Sequence, residues 1–516
     1  MHINYPLLSI IIWLPIIGGS LLYAFNSKVS DFIIKSYALC LSTSCLVLSL
    51  MMLKCCDIHS SGMQLTEKMD WLPTLGITYA LGVDGLSSPL VMLTSFMTLI
   101  IIISDIRPDR KQLISYYSCF FIMQGLICAV FLATDAILFY IAFEAMLIPM
   151  FLIIGVWGGV NRIHAALKFF LYTFLGSVFL LTSIIYLHHM ALRSGFIYSD
   201  AFSILSFHQL PLSLSCQKYL FWGMLVAFAV KVPMWPLHTW LPNAHVEAPT
   251  GGSIILAAIT LKIGSYGMLR FLLPIVPDAC KEFSLIMIAL SLVAIVYIGF
   301  IAIVQTNIKK LIAYSSISHM GFVTLGLFVI FKSIERTGDI QDAVTGIEGS
   351  MCQMISHGFV SAALFLCVGI LHTRVQSYKI SDYGGAINIM PIFSVFFMIF
   401  TMANIGLPGT SSFIGELLLI IVAFKANFWF GCIASTTLVL GASYMLWMYK
   451  RVTLGPTNSE KIILAEDLTK HEKITLTLLV IPVLFFGIWP SPLLRVMHSA
   501  TANLAMHIMQ SKIPVF

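Results

Sequence analysis

The stretch AFAVKVPMWPLHTW, residues 227 to 240, decides how this chain is read. It closes an apolar run that begins near residue 217 and is long enough to cross a bilayer, yet it holds Lys231 and, directly after it, Pro233 and Pro236. Pro233 cannot donate to the carbonyl of Ala229, nor Pro236 to that of Val232, so a helix has to break here. Facing lipid, a lysine beside freed carbonyls would be costly. Such breaks are tolerated where they are buried in protein or line a wet cavity. The segment therefore reads as a discontinuous membrane helix at a transport site.

A second interruption follows the same pattern. In ANIGLPGTSSFIGELLL, residues 403 to 419, Pro408 leaves the carbonyl of Asn404 without its helical partner, and Gly406 and Gly409 loosen the same turn. The two breaks differ by 408 − 233 = 175 positions, and so do the ionisable residues Glu144 and His319, with 319 − 144 = 175. This offset reads as an internal repeat. The composition agrees with a membrane chain: of 516 residues, 59% are hydrophobic and 10% charged, against about 25% charged in a soluble domain. Apolar runs bounded by charge or turn residues give about fourteen spans. They lie near 5 to 25, 32 to 53, 84 to 104, 113 to 133, 136 to 156, 166 to 190, 217 to 240, 250 to 273, 283 to 304, 309 to 332, 351 to 372, 390 to 425, 428 to 450 and 474 to 508. The last is interrupted by Pro490 and Pro492 and could form two shorter pieces. The fold expected is an all-α polytopic membrane protein.

Net charge of +6 says little about nucleic acid in such a chain, but the placement of the bases is informative. Arg107, Arg110, Lys111, Arg162, Lys309, Lys310, Arg374, Lys379, Lys450 and Arg451 all follow odd-numbered spans, which puts those loops inside and both termini outside. Loops after even spans hold Asp135, Asp278, Glu282, Glu335, Asp339, Asp342 and Glu348. The longest connections are 54 to 83, 191 to 216 and 333 to 350, and 452 to 473 is the most charged. Eleven cysteines lie mostly in apolar runs without a CxxC pair, so no disulfide framework, zinc site or iron–sulfur site is expected. No flavin or nicotinamide fingerprint occurs either.

The chemistry sits in ionisable groups inside apolar helices: Glu144, Lys231, Lys262, His319, His357 and Glu416. A charge at the bilayer centre costs about 2.5–3.5 kcal/mol on insertion scales, so such residues face the bundle interior, pair with one another and mark ion pathways. Each also has a structural reading. Glu144 could hydrogen-bond between helices for packing, Lys262 could be structural, the histidines could be satisfied interior groups, and Glu416 could snorkel to the interface. Acid, base, base, imidazole and acid on successive spans fit a row of proton stations better than separate packing roles. Asp84 opens a span and is expected to cap its helix. His245 and Glu247 in WLPNAHVEAPT are expected to face solvent, with Pro249 starting the next helix.

LGVDGLSSPL (81 to 90), FYIAFEAMLIPMFLIIGVWGG (139 to 159), the run from AFAVKVPMWPLHTW on to LKIGSYGMLRF (227 to 271), IKKLIAYSSISHMGF (308 to 322) and LPGTSSFIGELLLI (407 to 420) together resemble the signatures of one family. They are similar to the antiporter-like subunit M of respiratory NADH:quinone oxidoreductase (complex I), the counterpart of mitochondrial NADH dehydrogenase subunit 4. The resemblance covers most of the chain. It implies fourteen helices with two inverted five-helix repeats, each containing a broken helix. The segments would be 1–112 for N-terminal helices, 113–273 and 283–450 for the repeats, and 451–516 for a charged loop and C-terminal helix. It implies Glu144 and Lys231 as a central ion pair, Lys262 and His319 as relay stations, and Glu416 as the exit-side station. It implies a subunit that pumps protons in a bacterial plasma membrane beside other antiporter-like subunits and lipids. Flavin and iron–sulfur clusters would be confined to partner subunits, with no cofactor in this chain. Multisubunit cation/proton antiporters and membrane-bound hydrogenases share these motifs. The end at Phe516, without room for the lateral helix of subunit L, and Lys262 in LKIGSYG point to subunit M.

Overall fold

The computed structural model describes residues 6–24, 30–105, 112–457 and 460–514. Arg107, Arg110, Lys111 and Phe516 lie outside the described residues. In lipid a backbone must satisfy its own hydrogen bonds, and the apolar runs accordingly fold as helices. These are α1 (Leu7–Leu21), α2 (Asp31–Cys55), α3 (Ser88–Ser104), α4 (Leu113–Leu132), α5 (Ala136–Trp157), α6 (Arg162–Arg193), α7 (Leu214–Lys231), α8 (Trp240–Glu247) and α9 (Thr250–Ile275). They continue as α10 (Pro277–Ile303), α11 (Ile308–Thr337), α12 (Gln341–Val375), α13 (Pro391–Ile405), α14 (Ser411–Ala426), α15 (Phe428–Thr453), α16 (Lys470–Ile488) and α17 (Ser491–Ile508). Among the described residues, eleven helical stretches are long and apolar enough to cross a membrane, with α3 and α13 shorter apolar helices.

Burial sorts these helices into a centre and a rim. The most apolar 18-residue windows of α9 and α12 are wholly buried and that of α11 is 89% buried, whereas those of α2, α6 and α15 are no more than 39% buried. The central three carry Lys262, His357 and His319. The remaining candidates lie next to the breaks. α7 ends at Lys231 before Pro233, and α13 ends at Ile405 before Pro408.

The loops gather at two ends. At one, Gly159 N donates to Glu247 O, Asn307 bridges Lys379, and Arg374 makes a bidentate pair with Glu472 at 2.6 Å. This end holds the described bases expected inside. At the other, Asp135 bridges Ser203, Lys512 N donates to Asp278 Oδ2 at 2.9 Å, and Lys425 pairs with Asp342 at 2.6 Å.

Two sequence expectations need correction. The connection 54 to 83 contains an antiparallel hairpin, β1 (Gln64–Leu72) and β2 (Ile77–Val83), turned at Gly76, which takes a left-handed φ of 70°. The connection 333 to 350 shrinks to a short turn because α11 and α12 run past the apolar segment as polar helix ends. The run 474 to 508 takes the two-piece form that its prolines allow, two helices parted at Trp489–Pro490. Asp84 does cap, but does more: Oδ1 accepts from Leu86 N and Ser87 N just before α3, while Oδ2 pairs with Arg270 of α9 at 2.6 Å, both side chains being buried.

Candidate proton-transfer row

The first break is held by compensating hydrogen bonds. Met234 N donates to Ala229 O at 2.9 Å, taking the carbonyl that Pro233 cannot reach, and the indole of Trp240 donates to Val230 O. Lys231, at the broken end of α7, is 2% exposed. Its Nζ donates to Phe143 O at 3.3 Å and lies 4.0 Å from the centre of the Phe143 ring. Phe143 precedes Glu144, so the two expected partners share one neighbourhood. Among the described residues, however, no ion pair joins them. Lys231 satisfies itself on a carbonyl and a ring face, while half-buried Glu144 sits beside Ser177 of α6 with Oε1 lacking a hydrogen-bond partner.

α9 approaches α7 very closely. A Cβ on Gly267 would lie 2.2 Å from the Phe228 ring, and one on Gly264 would lie 2.9 Å from Lys231 Cβ, so only glycine lets these two lysine-bearing helices meet. On α9, Lys262 is flanked by two π-helical turns, Leu256–Thr260 and Met268–Leu272, a feature frequent at functional sites. Its ammonium is fully buried and donates to Ala257 O at 2.6 Å.

From Lys262 the row runs through two close contacts and one wider step between the two imidazoles. Its Nζ lies 2.7 Å from His357 Nδ1 of α12, and the His357 and His319 ring centres are 5.8 Å apart. His319 Nδ1 of α11 lies 3.1 Å from Glu416 Oε1 of α14. All four are buried. The second break makes the last contact possible: a Cβ on Gly406, at φ 84°, would stand 2.5 Å from Glu416 Oε2. Glu416 therefore faces the broken turn and does not snorkel outward. No direct contact links Lys231 to Lys262 among the described residues.

Other buried polar groups escape the sequence reading. Gln353 Nε2 lies 3.3 Å from both His319 Nδ1 and Glu416 Oε1. Its position one turn before His357 was the available signal. Lys309, read as a loop base, is fully buried and donates to Ala248 O at 2.7 Å. His245, read as solvent-facing, is also fully buried, because α8 folds back into the bundle after the break. Glu247 is half-buried, its Oε2 accepting from Asn161 N. Among the described residues no group of three or more His, Cys, Asp or Glu is placed to hold a metal ion.

Known proteins resemble this chain over nearly its whole length. A family profile described as NADH:quinone oxidoreductase/Mrp antiporter, TM, matches residues 133–441. NADH-quinone oxidoreductase subunit M of Rickettsia typhi is 43% identical over 507 residues, covering 97% of this chain and 99% of that one. NADH-ubiquinone oxidoreductase chain 4 of Marchantia polymorpha is 40% identical over 505 residues, covering 98% of each. A chain of respiratory complex I from Thermus thermophilus with bound NADH superposes with a TM-score of 0.86 at 26% identity, covering 98% of this chain and 100% of that one. With the fold matched end to end and identity sustained over nearly the whole length, this chain belongs to the subunit M family of NADH:quinone oxidoreductase, the antiporter-like, proton-translocating membrane subunits of complex I.

Proposed function

We propose that protons cross this subunit along Glu144, Lys231, Lys262, His357, His319 and Glu416, and that the chain itself performs no redox chemistry. The observation that supports this is the buried run from Lys262 through His357 and His319 to Glu416. Four titratable side chains within hydrogen-bond or ring distance of one another, inside apolar helices, fit stepwise transfer, whereas packing alone would be served more cheaply by apolar residues. Glu144 and Lys231 form the switch. A change in partner subunits moves the carboxylate toward or away from the ammonium, and a lysine parted from its counter-charge in a dry site gives up its proton more readily. Lys262 receives that proton, and the two imidazoles hand it on to Glu416. Flavin and iron–sulfur clusters lie in the partner subunits and handle the electrons there.

The fold reading that accompanies this is fourteen transmembrane helices in two inverted repeats, 113–273 and 283–450, flanked by 1–112 and 451–516. α4 to α9 then match α10 to α15 in order, with α7 and α8 as the broken helix of the first repeat and α13 and α14 as that of the second. Five spans per repeat reverse the second relative to the first. The membrane is a bacterial plasma membrane, with lipids and neighbouring antiporter-like subunits around the rim.

The test is proton movement by the assembled complex in vesicles, with and without sodium. Pumping that proceeds in the absence of sodium is expected. Activity that moves no protons until sodium is added would favour the cation/proton antiporter reading of the same family. A subunit that serves only as a scaffold is separated by Glu144→Gln, which it would tolerate with normal pumping.

A further inference from the structure

The π-helical turn Met268–Leu272, on the outer side of Lys262, is held by a residue from outside the row. Leu273 N donates to Met268 O, five residues back, which closes the turn. The next N–H is missing, because residue 274 is proline, so the carbonyl of Arg270, four positions before it, lacks its ordinary helical donor. A carbonyl left unpaired inside the bundle is costly. The donor comes from another part of the chain: Nε2 of half-buried His208, in the connection between α6 and α7, lies 2.9 Å from Arg270 O. A carbonyl only accepts, so the imidazole carries a proton on Nε2.

Both sides of the turn are fixed against neighbours. Before it, Gly264 and Gly267 let α9 press onto Lys231 and Phe228 of α7, and Tyr266 Oη donates to Phe131 O of α4 at 2.8 Å. Within it, Arg270 pairs with Asp84 at 2.6 Å and donates through Nε to Tyr266 Oη at 3.2 Å. After it, Pro274 O accepts from His507 Nε2 of α17 at 3.3 Å. A π turn holds one residue more than an α turn, so a change from π to α turns the Lys262 side of the helix by about 100° against the far side. Lys262 Nζ sits 2.7 Å from His357 Nδ1, and a rotation of that size takes it away from that nitrogen.

We propose that His208 is a positioning residue for Lys262: by donating to Arg270 O it keeps the turn in its π form, and the π form aims the ammonium at His357. Without that donor the carbonyl must take one from its own helix, which shifts the turn. The proposal rests on Lys262 serving as a proton station. His208 itself takes no place in the row, and what it supplies is one N–H at a fixed point.

The proton-to-electron ratio of the assembled complex in vesicles tests this with three variants. H208L removes the donor, and is expected to assemble and transfer electrons with its ratio lowered as far as Lys262→Arg lowers it. H208Q places an amide N–H near the position of Nε2 and is expected to keep the wild-type ratio. P274A added to H208L returns an N–H four residues after Arg270, which satisfies the carbonyl but in an α turn, so the double variant is expected to accumulate and still pump poorly. A wild-type ratio in H208L, a ratio in H208Q as low as in H208L, or recovery of the ratio by P274A would each overturn the proposal, the last by showing that His208 only satisfies a carbonyl. Should H208L not accumulate, the double variant is read in its place, and failure of both to accumulate assigns His208 to packing and overturns the proposal as well. Lys262→Arg separates the two readings. If it loses pumping while H208L keeps it, only the positioning role falls; if both pump normally, the row itself falls.

Discussion

His319 Nδ1 and Glu416 Oε1 face each other at 3.1 Å across two helices, within hydrogen-bond reach. Gln353, 3.3 Å from both, fixes the geometry without titrating. Glu416→Gln keeps a hydrogen-bonding side chain of the same shape but cannot take up or release a proton. It is expected to assemble with most of its proton pumping lost, whereas Gln353→Leu loses less. Normal pumping by Glu416→Gln, measured as protons moved per electron in vesicles, would take Glu416 off the path.

Glu144→Gln is expected to leave the complex assembled and electron transfer at least partly intact while greatly reducing pumping. Glutamine preserves the shape and the contact with Ser177 but not titration. Its half-buried position, with one carboxylate oxygen unpartnered, leaves room for the exchange. If the variant protein fails to accumulate in membranes, Glu144 is a packing residue instead.

Much of this could be read from residues alone, and the reasons differ by feature. The two helix breaks follow from proline chemistry, and the buried charges stand out because lipid makes them expensive, so Glu144, Lys231, Lys262, His319, His357 and Glu416 were visible. Membrane-crossing helices are local, and their positions follow from hydropathy. His245 and Lys309 were not visible, because hydropathy places them at helix ends and only the fold-back of α8 buries them. The hairpin was missed because QLTEKMDWL carries charges throughout and exposes most of its side chains. The Asp84–Arg270 pair joins residues on separate helices, and sequence spacing says nothing of such contacts.

That pair makes a stability prediction. Both side chains are buried, and besides Arg270 at 2.6 Å the Asp84 carboxylate accepts from Leu86 N and Ser87 N. Asp84→Asn leaves a buried guanidinium without its counter-charge, at a cost of about 3–5 kcal/mol, and the double variant with Arg270→Met recovers much of it. Thermal unfolding of the purified complex at pH 7 measures both, and an unchanged melting temperature for Asp84→Asn would show the pair to be dispensable.

At Lys231, charge and titration can be separated by one substitution. A structural role as counter-charge to Glu144 asks only for a cation of suitable reach, which arginine supplies with good carboxylate geometry. A proton carrier must release its proton in every cycle. Guanidinium, with a pKa of about 12.5–13.8, does not, whereas a buried lysine can. The surroundings favour the second role, since Lys231 Nζ is held by the Phe143 carbonyl and ring and not by a carboxylate, which leaves it free to lose its charge without stranding an anion. Lys231→Arg is therefore expected to assemble but pump poorly, as is Lys231→Ala. Proton-to-electron stoichiometry in reconstituted vesicles is the measurement, and a wild-type value for Lys231→Arg would remove Lys231 from the proton path and leave it as the counter-charge of Glu144.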